Sequence, residues 1–263
     1  MKKTPLFKVS FSIADIPLGV SIESLFAVAR DLKTDGVEIL PGFRTFPHLK
    51  KLKELISKYN VDILSVHQPL YTGFGVISEE IAIGLAHYFQ AKYVMHPFSK
   101  YALNSIEAEN YFYYMQKLLR RYNVKGFLEN MPFTYSLPLV SQIQKRPHLS
   151  NTNLSALRKT CNEYGFGMTF DTTHCMQSDL TTVAGLQEAL PLIGNIHLSD
   201  YSGRQHLPLG NGKVDIGKFL TFLRKNNYSE LVTLELSPRI FCPKGEYLRG
   251  LESSIKIVQG YTK

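Results

Sequence analysis

Glu38, His67, His96, Glu129, Asp171, His197 and Glu235 each stand at or near the end of a short apolar run, and His174, Asp200 and His206 follow shortly after such runs. Imidazole and carboxylate together form the donor set of Zn²⁺, Mn²⁺, Co²⁺ or Fe²⁺, whereas a magnesium site is richer in oxygen. Single residues of this kind have plain explanations. An Asp after a strand caps the next helix more often than it binds a metal, and His96 beside Pro97 could simply end a strand. The series carries the argument. Five of the eight histidines (His67, His96, His174, His197, His206) stand at or just after such runs, and none is expected in a helix. His48, His87 and His148 fall on expected helices or loops and read as surface or packing residues. Eight potential ligands exceed the four of one tetrahedral zinc. Two ions bridged by a carboxylate are therefore the natural arrangement.

Such residues converge only if the chain brings the run ends to one face. Strand-like runs at 8–12, 36–41, 62–67, 92–96, 126–129, 167–171, 194–198 and 231–235 alternate with helical patterns at 21–33, 46–59, 78–89, 105–121, 153–164, 182–190, 216–226 and 247–258. The runs are almost continuously apolar, as in parallel strands covered on both faces. Eight strand-then-helix units in a chain of this length predict an α/β (β/α)8 barrel, one domain over 1–263, with every strand C-terminus opening onto one end. The rival is a doubly wound sheet, and SFSIADIPLG after the first strand lacks its glycine fingerprint. Residues 131–152, between the fifth strand and its helix, form an unusually long connection. They read as a lid or binding loop, or alternatively as a small packing helix over 137–144.

Composition sets the remaining bounds. The chain has 263 residues, 44% hydrophobic, with a formal charge of +8. That excess favours an anionic ligand such as a sugar phosphate or a nucleic-acid backbone. The three cysteines show no paired or zinc-finger spacing, so a reduced, cytoplasmic compartment is expected. No apolar run is long enough to span a membrane, and the basic start lacks the apolar core of a signal peptide. Nothing in the sequence sets an oligomeric state.

The segments DGVEI, SVHQP, VMHPF, FLEN, FDTTH, NIHLSD, HLPLGNGKVDIGKFL and LVTLELSP follow one another from about residue 35 to 238. As a set they resemble the xylose isomerase-like TIM barrels, which include sugar phosphate isomerases/epimerases and type 2 AP endonucleases of the endonuclease IV family. The resemblance implies that Glu129, Asp171, His197 and Glu235 form the superfamily's shared four-ligand metal site. It implies that His67 and His96, with Glu129 as bridge, match the second site of the endonuclease branch. His174 and His206 match two of the three ligands of that branch's third zinc. Arg204 stands where the remaining Asp would be, and a guanidinium cannot ligate zinc. The resemblance thus implies one or two ions, with an incomplete third site. Glu38 in GVEI and the stretch HLSDYSGRQHLPLGNGKVDI are similar to the isomerase/epimerase branch, where a carboxylate at the first of these lies in the substrate pocket.

Two catalytic readings follow from the resemblance. In the first, the chain is an isomerase or epimerase of a small sugar or sugar phosphate. A metal, Zn or Mn first and Co or Fe next, polarises the substrate, and Glu129 and Glu235 move a proton at the carbon beside the carbonyl. Glu38, Arg204, His174 and Tyr71 would contact substrate. In the second, a multinuclear zinc site cleaves DNA at abasic sites, Tyr71 wedges into the duplex and the positive charge holds its backbone. A third reading, a barrel that binds metal without catalysis, sits poorly with an intact pair of glutamates.

Overall fold

The computed structural model describes residues 6–13, 16–41, 49–69, 79–97, 102–131, 135–137, 140–145, 153–177, 182–203, 206–237 and 242–262. In chain order the strands are β1 (Lys8–Ile13), β2 (Gly36–Ile39), β3 (Asp62–His67), β4 (Lys92–Met95), β5 (Gly126–Glu129), β6 (Tyr135–Leu137), β7 (Val140–Lys145), β8 (Gly167–Asp171), β9 (Ile193–Leu198) and β10 (Leu231–Leu234). The helices are α1 (Ile22–Asp31), α2 (Leu49–Tyr59), α3 (Glu79–Phe89), α4 (Ile106–Tyr122), α5 (Leu154–Tyr164), α6 (Thr172–Gln177), α7 (Thr182–Ala189), α8 (Ile216–Lys225) and α9 (Lys244–Gln259). Eight parallel strands close in the order β1-β2-β3-β4-β5-β8-β9-β10, with β10 pairing back onto β1. This is the (β/α)8 barrel expected from the alternation of runs. None of the described helices is long and apolar enough to cross a membrane.

Local chemistry starts and stops the helices. Ser21, Ser105, Asn153 and Asp215 each accept a first-turn backbone N–H through the side chain, which satisfies donors that the helix itself cannot. The chain leaves α1, α2, α3, α4, α5 and α8 through Lys33, Asn60, Gln90, Asn123, Gly165 and Asn227, all at positive φ. A left-handed residue reverses the chain at a helix end and aims it into the next strand. The repeated device keeps the helix-to-strand loops short, all at the end of the barrel opposite the strand C-termini.

Side chains alternate across each strand. One set, including Val9, Phe11, Val37, Ile39, Val66, Ile196 and Val232, is buried in the apolar layer between strands and helices. The other set faces the barrel axis and is unusually polar: Ser10, Glu38, Ser65, His67, Glu129, Thr169, Asp171, Asn195, His197 and Thr233 are buried. Below the site three of these residues are linked by hydrogen bonds. Ser10 Oγ lies 2.8 Å from Thr233 Oγ1, which donates to Asn195 Oδ1 at 2.9 Å.

Near the opposite end, the Phe127 ring fills the space left by Gly167 and Gly194, and a Cβ on Gly194 would collide with that ring. Gly194→Ala is therefore expected to destabilise the chain by about 1–3 kcal/mol through overpacking. Chemical unfolding checks this; an unchanged midpoint would mean that Phe127 moves aside freely.

The 131–152 connection differs from expectation. Its described part is an antiparallel pair of strands, β6 with β7, and the described residues within 137–144 are strand rather than helix. Pro138 biases Leu137 away from helical dihedrals, and Val140 and Ile143 are β-branched. The rest of the connection, including Arg146 and His148, lies outside the described residues, as does His48. His87 sits on α3, its ring 6.2 Å from that of Tyr122.

Candidate metal centre and active site

The strand ends meet at one end of the barrel, around Glu129. Its Oε2 lies 3.2 Å from His67 Nε2 and 3.3 Å from His96 Nε2. Its Oε1 lies 3.2 Å from His197 Nδ1 and 3.4 Å from His174 Nδ1. Four overlapping groups have ligand atoms within 4.8 Å of one another: Glu129 with Asp171, His197 and Glu235; His67 with His96 and Glu129; His67 with His197 and Glu235; and Asp171 with His174 and His206. The structure thus gathers all eight ligands that the sequence proposes.

Asp171 serves as cap and site carboxylate at once. Its Oδ1 accepts from Thr173 Oγ1 at 3.0 Å and from the His174 backbone N–H at 2.7 Å, which caps α6. Its Oδ2 is buried without a hydrogen-bond partner and faces the site. The cap also corrects an expectation: His174 lies inside α6 rather than in a loop. A carboxylate accepting the N–H groups that follow a strand end turns the chain directly into a helix. His174 Nδ1 lies 2.8 Å from Asn130 O, and the His174 and His206 rings meet edge to face at 5.2 Å.

Burial and charge pull against each other at every group. Burial pushes the Glu129 carboxyl up, but His197, His67 and His96 outweigh it and hold it well below the usual range. Glu235 is likewise pushed up by burial and brought down further by His197 and His206. Asp171 goes the other way: burial wins over His174 and His206, and it sits above the usual value. Burial lowers the imidazoles, yet Glu129, Glu38 and Glu235 lift His67 to about 9. Neighbouring carboxylates also raise His197 and His206, whereas burial prevails at His96 and lowers it. The site is therefore one that concentrates positive charge among buried carboxylates.

A divalent cation fits this donor set. Asp171 Oδ2 and Glu235 Oε2 are buried oxygens without a hydrogen-bond partner; Glu235 Oε2 lies 2.8 Å from His197 Nδ1 but without hydrogen-bond alignment. Leaving such acceptors unpaired is costly. Glu129, Asp171, His197 and Glu235 can hold an ion between them, and one nitrogen with three carboxylates suits Mn²⁺ or Zn²⁺ among the common metals.

Sequence reasoning missed several groups that hold the site in shape. Asn130 clamps Asp171: its Oδ1 accepts from Asp171 N at 2.8 Å, and its Nδ2 donates to Asp171 O at 3.0 Å. Gln68 Oε1 accepts from the His96 backbone N–H at 2.7 Å, while its Nε2 donates to Glu79 Oε1 at 2.6 Å. Asp200, already in the strand-end series, has another role than that series suggests: it accepts from the backbone N–H groups of Tyr201, Gly210, Gly212 and Val214 at 2.8–2.9 Å, folding the loop that carries His206. An amide or acid one to three residues beyond a ligand, as in FLEN, SVHQ and HLSD, is the signal that marks them. Glu38, expected in the substrate pocket, lies fully buried with its Oε2 3.2 Å from His197 Nε2. Tyr71 and Arg204 lie outside the described residues.

Comparison with known proteins bears on this geometry. Residues 26–257 match the family model described as xylose isomerase-like TIM barrel. No curated protein matches the chain. A D-tagatose 3-epimerase-like protein superposes with a TM-score of 0.69 at 20% identity, covering 98% of this chain and 100% of that one. The 3-keto-D-glucoside 4-epimerase YcjR of E. coli gives 0.69 at 14% identity, with 95% and 99% coverage. A D-allulose 3-epimerase from Methylomonas sp., solved with D-allulose, gives 0.67 at 14% identity, with 98% and 95% coverage. At these identities the likeness speaks for the fold. The family match spans most of the sequence, and the chain belongs to the xylose isomerase-like TIM barrels.

Proposed function

We propose that the chain is a divalent-metal-dependent isomerase or epimerase of a small sugar or sugar phosphate. The observation that carries this is the cluster of Glu129, Asp171, His197 and Glu235, whose ligand atoms lie within 4.8 Å of one another. Glu129 ends β5 and Glu235 follows β10, with β8 and β9 between them in the barrel. The two carboxylates thus approach from different sides of His197, whose Nδ1 is 3.2 Å from one and 2.8 Å from the other. That separation suits removal of a proton from one face of a carbon and delivery to the other. A bound divalent ion would supply polarisation of the substrate carbonyl and hydroxyl oxygens. Asp171 and His197 hold the geometry while Glu129 and Glu235 exchange the proton. Relatives of the same fold whose names specify sugar epimerases support this reading.

A second reading, cleavage of DNA at abasic sites, is favoured by one feature. The groups His67–His96–Glu129 and Asp171–His174–His206 adjoin the first cluster and share Glu129 and Asp171 with it, as a multinuclear site would. The positive charge lends it less. Lys51 and Lys58 on α2 pair with Glu23 at 3.5 Å and 2.8 Å on the outer helices. Metal content per chain, measured beside two assays, separates the readings. The expected result is epimer formation from a panel of ketoses and their phosphates, with an abasic-site duplex left intact. Incision of the duplex with three bound zincs and no sugar turned over would overturn the proposal.

A further inference from the structure

Among the described residues, Glu38 is a strand carboxylate facing the barrel axis that joins none of the ligand groups. It is completely buried, and His197 lies between it and Glu129 and Glu235. Its surroundings are built rather than incidental. The pairing of β2 with β3 slips after Val37, so that Glu38 stands opposite Ser65 and Leu64 is passed over. A bulge of this kind re-aims side chains next to a functional site. It sets Ser65 Oγ to donate to Glu38 Oε2 at 2.7 Å, on the same oxygen that faces His197 Nε2 at 3.2 Å. The His67 ring stacks on the same imidazole at 5.7 Å between centroids, with 24° between planes.

The two nitrogens of His197 thus have different partners. Nδ1 faces Glu129 and Glu235, and Nε2 faces Glu38. We propose that Glu38 is a positioning residue: it accepts the Nε2 proton of His197 and so keeps the Nδ1 lone pair directed into the ligand group. Without that acceptor the imidazole can flip, or present the other tautomer, and the group loses its one nitrogen. Glu38 is 0% exposed, which suits a role through His197 rather than on substrate. The inference rests on the metal-site reading of Glu129, Asp171, His197 and Glu235. It adds to that reading a residue separated from its histidine by 159 positions in the chain.

The test is Mn²⁺ affinity, titrated by calorimetry and by the electron-spin signal of free Mn²⁺, for the full chain and for Glu38→Ala and Glu38→Gln. Removing a partner of a metal-bound histidine lowers affinity by about 10–100-fold, and that loss is expected for Glu38→Ala. Glu38→Gln keeps an acceptor oxygen and is expected to retain most of the affinity. In the Zn²⁺-loaded protein, ¹⁵N spectra should show His197 protonated at Nε2 in the parent and in Glu38→Gln. A Glu38→Ala protein that binds Mn²⁺ as tightly as the parent overturns the role of Glu38 and leaves the metal site standing. A parent chain that binds no divalent ion overturns both. Should Glu38→Ala fail to fold, His197 of Zn²⁺-loaded Glu38→Gln decides: protonation at Nδ1 instead of Nε2 overturns the proposal.

Discussion

Glu235→Gln is expected to remove turnover, by about 10²–10⁴-fold, while leaving the barrel folded. Among the shared ligand residues Glu235 is the most accessible, with its side chain 17% exposed against 0–1% for Glu129, Asp171 and His197. On the proposed function it is the carboxylate that a sugar entering from the barrel mouth would meet first. Glutamine has nearly the same shape, so the packing after β10 is kept, but an amide cannot take up and release a proton at neutral pH. The substitution also weakens the metal set, so the rate must be compared at saturating metal. A variant that regains full activity with excess Mn²⁺ would leave Glu235 as a ligand and remove it from proton transfer.

The second large effect concerns stability. Glu38, Glu129 and Asp171 are at most 1% exposed and share one barrel mouth with Glu235. Imidazole neighbours offset the charge of Glu129 and Glu235 in the metal-free chain, and a bound divalent ion takes over that role. An ion bound only by the folded state, present at 1,000 times its dissociation constant, adds about 4 kcal/mol. At roughly 2–4 °C per kcal/mol for a chain of this size, Mn²⁺ or Zn²⁺ should raise Tm by about 10 °C over the chelator-treated protein. Asp171→Ala should abolish the rise. It should also lower the metal-free Tm, because Asp171 Oδ1 caps α6 through Thr173 and His174. A Tm indifferent to metal in the parent protein would contradict the assignment of the site.

Much of this was legible in the sequence because the barrel maps a one-dimensional pattern onto a ring. Strand C-termini share one end, so reading the last residue of each run amounts to reading the site. Glu129, Asp171, His197 and Glu235 emerge in that way. What stayed hidden depends on closure and local detail. The contacts of Glu38 with His197 and of Asn130 with Asp171 span 159 and 41 residues, and no local pattern announces them. The β2–β3 slip that pairs Glu38 with Ser65 is a register event, invisible until the strands are paired. Asp171 shows the limit of choosing between readings: the sequence offers cap and ligand as alternatives, and in the fold one oxygen caps α6 while the other is buried at the site with no hydrogen-bond partner. His174 reads as lying outside a helix because it follows a strand end so closely, whereas the Asp171 cap starts α6 at once.

On the proposed function, two glutamates beside a metal set move a proton at a carbon next to a carbonyl. Deuterium wash-in measures it most directly. The metal-loaded chain is incubated in D₂O with ketohexoses and their phosphates, and the recovered sugars are read by NMR. Deuterium at the carbon adjacent to the carbonyl, in the parent chain and not in Glu235→Gln, is the result expected. Sugars recovered without deuterium across the panel, from a chain shown to be loaded with metal, would contradict it.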